Sequence, residues 1–298
     1  MRIFSPLPGE YIASALKRGN ELLGNKPVRT EDFYIKPIPR VGFGISKSMT
    51  PLQAEWREEP RFEFPEFLSK HNVTESVLNN HTLHPLNAAL GRSRAFTEVT
   101  PRTWTRICPE CVLEDIEEHG SPYIHRRHVL LSVMVCSIHG SPLTDTCPYC
   151  SVTIKKHGLA QLRTCSTRYK HARRSNTQKK SPLRLYAQFI AELLQYRGKM
   201  AKRGKAEAVI SYSVRLKYGR RHVGHNVSMG IASVIEQELG ISVNPDFNTY
   251  LMDKNISLYA FLGCQTSENY LYLLSNEESL NQLSNTLDEA GISKWQAY

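Results

Sequence analysis

Cys108-Pro109-Glu110-Cys111, Cys136-Ser137-Ile138-His139 and Cys147-Pro148-Tyr149-Cys150, followed by Cys165, are the stretches that decide how this chain folds. The first two are separated by 24 residues, and 14 lie between Cys150 and Cys165. A Cys-x-x-Cys or Cys-x-x-His knuckle is a tight turn that brings two ligands onto one metal, and its backbone amides can point at the thiolates. Two knuckles close a tetrahedron. Six of the seven cysteines fall between Cys108 and Cys165, a clustering that favours metal over disulfides in a reducing compartment. We therefore expect two zinc ions. Cys108, Cys111, Cys136 and His139 are assigned to the first. Cys147, Cys150, Cys165 and His171 are assigned to the second, with His157 the alternative to His171, because Cys165-Ser166-Thr167-Arg168 lacks the second cysteine of a regular knuckle. A cross-braced pairing of the same ligands fits the spacing too. Four protein ligands leave no position for water or substrate, so both sites are structural and contribute folding energy directly. His119, His125 and His128 have no knuckle around them and are not expected to be ligands. Cys264, in Leu-Tyr-Ala-Phe-Leu-Gly-Cys, reads as a core thiol.

Outward from this cluster the chain reads as mainly α, in three regions: a helical, helix-turn-helix-like part (1–100), a tandem zinc-finger module with short strands (101–175), and a helical C-terminal part (176–298). In the first, Ile12, Leu16 and Leu23 share a helix face that Gly24 ends. Short helices are expected around Pro65–Lys70 and Thr74–Asn80, the latter capped by Thr74. The apolar run His128–Cys136 suits a strand. Residues 172–181 read as a linker. Pro182 opens an amphipathic helix with Leu185, Phe189 and Leu193 on one face. Val227–Leu239 and Ser279–Ala290 are further helices, closed by Gly240 and Gly291.

Charge is distributed as sharply as cysteine. Residues 1–150 carry 17 basic and 17 acidic side chains, residues 151–225 carry 19 and 2, and residues 226–298 carry 2 and 9. The net +10 is thus one basic block, a counterion-release surface for a phosphate backbone. Candidate contacts are Lys155, Lys156, Arg163, Arg168, Lys170, Arg173, Arg174, Lys179 and Lys180. Such contacts carry no base specificity. No stretch approaches the ~20 apolar residues of a membrane span. No secretory leader is recognisable at the N-terminus, so a cytoplasmic protein without membrane contact is expected.

Enzymatic readings fail on the residues. Gly198-Lys199-Met200-Ala201-Lys202-Arg203-Gly204-Lys205-Ala206 has one residue too many for a phosphate-binding loop and ends in alanine. No His-x-Glu precedes the Cys-x-x-Cys pairs, as a zinc deaminase requires. Carboxylates that could hold catalytic magnesium are nearly absent from the basic block. No catalytic residue is expected.

The ordered combination of Leu7-Pro8-Gly9-Glu10 with Ser14 and Arg18, His81-Thr82-Leu83-His84-Pro85, Cys108-Pro109-Glu110-Cys111, Cys136-Ser137-Ile138-His139-Gly140-Ser141-Pro142-Leu143 and Cys147-Pro148-Tyr149-Cys150 resembles the TniQ/TnsD family of transposon target-site selectors. The likeness covers roughly residues 5–170. The chain departs from the family at Arg126-Arg127-His128, where an aromatic is usual, and at Arg168, where a cysteine is. The resemblance implies an adaptor that marks an insertion site and recruits an AAA+ ATPase transposition regulator. Some members read an attachment site in target DNA, and others dock on a CRISPR RNA-guided effector complex, as in CRISPR-associated transposons. A homodimer is compatible with the chain. Two other readings are a sequence-specific DNA-binding protein acting alone, and a zinc-stabilised scaffold that touches no nucleic acid.

Overall fold

The computed structural model describes residues 6–22, 75–91, 105–154, 156–166, 181–218, 227–242 and 251–276. It is mainly helical. The chain divides into two compact units, Met1–Ala88 with Arg92–Gly198, and Ala89–Gly91 with Lys199–Tyr298. The expected helix around Pro65–Lys70, the Thr74 cap, Leu23 with Gly24, the 172–180 part of the linker and the Ser279–Ala290 helix with Gly291 lie outside the described residues.

In the first unit, α1 (Ile12–Leu22) follows a turn whose Glu10 is completely buried. Glu10 accepts from the Leu7 amide (2.8 Å), the Ser14 hydroxyl (2.8 Å) and both Nε and Nη2 of Arg18 (3.2 and 2.8 Å). Every carboxylate lone pair thus finds a donor, which offsets the cost of burying the ion pair this deep. The same turn docks on a distant strand-like stretch: Tyr11 N–H donates to Ile124 C=O (2.8 Å) and Arg126 N–H to Gly9 C=O (2.9 Å). The Leu-Pro-x-Glu, Ser14 and Arg18 residues are thus one tertiary clamp.

Two short helices, α2 (Glu75–His81) and α3 (His84–Ala89), are joined by Thr82 and Leu83. Thr82 Oγ1 accepts from the His84 amide (2.9 Å) and donates to the Leu78 carbonyl, which ties the end of one helix to the start of the next. Thr82 and Leu83 are therefore the junction between two helices.

Arg126 is buried and directs its guanidinium at helix C-terminal carbonyls: Asn79 (2.6 Å) and Thr82 (3.2 Å) at the end of α2, and Leu194 (2.9 Å) just past α6 (Pro182–Leu193). Burial lowers its pKa to about 10, so it remains a cation where two helix dipoles end negative. α6 starts as expected, with Pro182 at the first turn and the Ser181 hydroxyl accepting from Arg184 N–H. Its buried face is Tyr186, Phe189, Ile190 and Leu193, whereas Leu185 is 46% exposed. The stripe sits one position further round than Leu185–Phe189–Leu193 suggests.

The expected strand over His128–Cys136 is not a strand. Arg126–His128 form a 3-10 turn, and of the run only Val135 pairs, in a single antiparallel bridge to Pro142. Arg106 is the reason. Its guanidinium takes the carbonyls of His128 (2.9 Å), Leu130 and Leu131, groups that a ladder would have used.

The second unit holds α7 (Arg203–Tyr218), α8 (Val227–Leu239), α9 (Leu251–Cys264) and α10 (Ser267–Ser275). Gly240, at φ +64°, ends α8 as the sequence suggests. Ile210, Val214, Ile235, Leu258, Leu262 and Tyr270 are buried. α7 and α9 approach closely at Gly263, where a Cβ would lie 2.8 Å from Ser213 Cβ. Cys264 is a buried thiol beside Ser213 Oγ (3.4 Å), in keeping with a core role. No helix among the described residues is long and apolar enough to cross a membrane.

Candidate metal centres

α4 (Pro109–His119) begins at Cys108, with Pro at its first position, so Cys108 and Cys111 lie one turn apart at a helix N-terminus. Ile107, just before it, exchanges both backbone hydrogen bonds with Thr144 (2.8 and 3.0 Å). That pair brings the helix start against the second knuckle. There Cys136 C=O accepts from Gly140 N–H and Cys136 N–H donates to Ser141 C=O, both at 2.8 Å, with Gly140 at φ +73°. Cys147 repeats this pattern with Ser151 N–H (2.9 Å) and Val152 C=O (2.8 Å). Ser151 occupies the left-handed position without being glycine, at φ +56°.

The result is two four-membered groups whose ligand atoms all lie within 4.8 Å of one another: Cys108, Cys111, Cys136 and His139, and Cys147, Cys150, His157 and Cys165. In the first, His139 Nδ1 stands 3.5, 3.4 and 3.6 Å from the sulfurs of Cys108, Cys111 and Cys136, and Cys111 and Cys136 Sγ are 3.6 Å apart. A tetrahedral zinc with Zn–S of about 2.3 Å and Zn–N of about 2.0 Å has S···S edges of about 3.8 Å and S···N edges of about 3.5 Å. The donor set fits that ion. Neutral thiols do not justify the arrangement by themselves: close contact with Cys108 and Cys136 pushes Cys111 up, and contact with Cys108 pulls Cys136 down. At Cys108 the hydrogen bond with Cys111 lowers the pKa but is outweighed by Cys136 and burial, leaving it pushed up to about 12. A divalent cation removes this conflict by favouring all three thiolates at once.

Two outer residues not anticipated from the sequence complete the first group. Glu114 Oε1 accepts from His139 Nε2 at 2.9 Å, which fixes the tautomer that leaves Nδ1 free to coordinate. Arg127 donates to Cys111 Sγ at 3.5 Å, a cation beside a thiolate cluster. The signal for Glu114 is present in retrospect, since it lies three residues after Cys111 on the same helix face. Arg126 and Arg127, where the family usually has an aromatic, thus have separate tasks. His128 is completely buried, and burial lowers its pKa to about 4.

In the second group His157 Nδ1–H donates to Gly158 C=O (2.8 Å), so Nε2 turns to Cys165 Sγ (3.4 Å). Cys165 lies near the end of α5 (Leu159–Ser166), whose first amides at Leu159 (2.6 Å) and Ala160 (3.4 Å) donate to Glu21 Oε2. Among the described residues His157 supplies the fourth ligand atom, and His171 lies outside them. His125, expected to be no ligand, bonds Asp115 at 3.0 Å instead.

Of the nine basic candidates, Lys156 and Arg163 are among the described residues. Lys155, Arg168, Lys170, Arg173, Arg174, Lys179 and Lys180 are not.

No curated protein matches the chain. Residues 2–143 match the model of the TniQ family. That span runs from the Glu10 clamp through α2, α3 and the first metal group, and stops short of Cys147. Residues 2–143 thus form a TniQ domain, the domain of a family associated with transposition target-site selection.

Proposed function

We propose that this chain is a non-catalytic adaptor that links target DNA, or a DNA-targeting complex such as a CRISPR RNA-guided effector, to an AAA+ ATPase regulator of transposition. The observation that carries it is the family match over residues 2–143, the span that contains the clamp and the first metal group. In this reading both groups hold zinc, with His157 as fourth ligand of the second. The zinc supplies cross-links that a short stretch poor in regular structure otherwise lacks. The basic side chains from Lys155 to Lys180 touch phosphates, and the acidic C-terminal segment meets protein.

A lone sequence reader is less well supported, because α2 offers only Asn79 and Asn80 for base contact, and Asn80 is engaged by Ser76 Oγ (3.3 Å) and Arg197 (2.9 Å). The test is co-purification of the tagged full chain with the AAA+ regulator of the same mobile element, alongside nuclease footprinting of the chain alone. Regulator capture with no sequence-specific footprint supports the adaptor. A sharp footprint without regulator capture overturns it in favour of direct reading.

A further inference from the structure

The two metal groups share a donor set but not a setting. Cys108, Cys111 and Cys136 are all buried, and Leu143 packs against them. In the second group only Cys147 is buried among the thiols, Cys165 is half-buried, and Cys150 is exposed together with its neighbours Pro148, Ser151 and Val152. The three sulfurs remain within 4.8 Å of one another, a short movement from disulfide contact. Oxidation of a thiolate follows its access to the oxidant, and a second thiolate beside it resolves the product.

From this contrast we infer that Cys150 is an oxidation site through which hydrogen peroxide releases the second zinc while the first is retained. The inference rests on metal being bound at both groups. The Cys150 thiolate attacks the peroxide O–O bond, forming a sulfenic acid and releasing hydroxide. The thiolate of Cys147 or Cys165 then attacks that sulfur, forming an S–S bond and expelling a second hydroxide. Two thiolates each lose one electron and the peroxide gains two. One thiolate and His157 are left, too few donors to retain the ion. What this loosens is local: His157 and Cys165 bracket α5, which packs on α1 and directly precedes the basic residues from Arg168 to Lys180.

The experiment uses the wild-type full chain. Zinc is first counted by mass spectrometry of the native protein, then hydrogen peroxide is added with a chromogenic pyridylazo indicator in solution, and thiols are mapped by differential alkylation. Two zinc ions per chain at the start are expected. One should leave at least about tenfold faster than the other, with Cys150 found in a disulfide to Cys147 or Cys165 and Cys108, Cys111 and Cys136 unmodified. Reductant with added zinc should restore the second ion. Release of both in one phase, oxidation of the buried thiols at the same rate, or Cys150 still reduced after release overturns the inference while the zinc reading stands. Fewer than two zinc ions before peroxide refutes the zinc reading itself and this inference with it.

Discussion

Glu10 and Arg18 show what a single pair contributes when it is enclosed. The carboxylate is completely buried, Arg18 nearly so, and the segments they join are Leu7, α1 and the stretch around Ile124. Removing one partner leaves an uncompensated charge, so Glu10→Gln is expected to cost about 3–5 kcal/mol in urea unfolding, and Glu10→Gln with Arg18→Met less than the sum of the single changes. Ser151 points the other way. Its φ of +56° suits glycine, and Ser151→Gly should stabilise the second knuckle by about 1 kcal/mol, measured as slower zinc loss to a chelator. His84 provides a pH signature. Burial lowers its pKa from 6.5 to about 4, so the unfolded chain binds a proton there before the folded one does. Stability contributed by neutral His84 is therefore complete above about pH 6.5 and is lost as pH falls toward 4, up to about 3 kcal/mol. The difference in pH dependence between wild type and His84→Asn isolates it.

At the scale of elements, helix ends and helix crossings decide the packing. Arg126 caps two helices at once, and Thr82 links α2 to α3. The α7–α9 crossing depends on the missing side chain of Gly263. Ala there would place Cβ 2.8 Å from Ser213 Cβ and 2.9 Å from the Val214 backbone nitrogen, so Gly263→Ala should lower stability by about 1–3 kcal/mol in thermal unfolding followed by circular dichroism. The metal knuckles are elements in the same sense: Cys136 and Cys147 repeat one hydrogen-bond pattern on unrelated sequence, which shows that the backbone turn, more than the intervening residues, positions the ligands.

For the whole molecule, the two groups fit to hold a metal and the apolar helical core of the second unit are separate sources of order. Residues 105–166 hold little helix beyond α4 and α5, and antiparallel pairing in the described residues is confined to isolated bridges. The second unit has an apolar helical core of its own. Chelation under mild heating should abolish amide-exchange protection across Cys108–Cys165 and weaken it at Tyr11 and Ser14, while Ile210, Val214 and Leu262 stay protected. Exchange loss spread evenly over the chain would contradict this division. Ligand spacing, the Pro182 helix start, the Gly240 stop and the helical class were legible in the sequence, because each is set by residues near one another in the chain and by steric or coordination rules that act locally. The Glu10–Arg18 clamp, the Arg126 double cap, the Arg106 contacts that replace a strand, the Glu114 orientation of His139 and the gathering of His157 into the second group were decided only by tertiary structure. Each depends on which distant carbonyl, carboxylate or thiol the fold brings within hydrogen-bond reach of a polar side chain it has buried, and a desolvated polar group must take the partner it finds there.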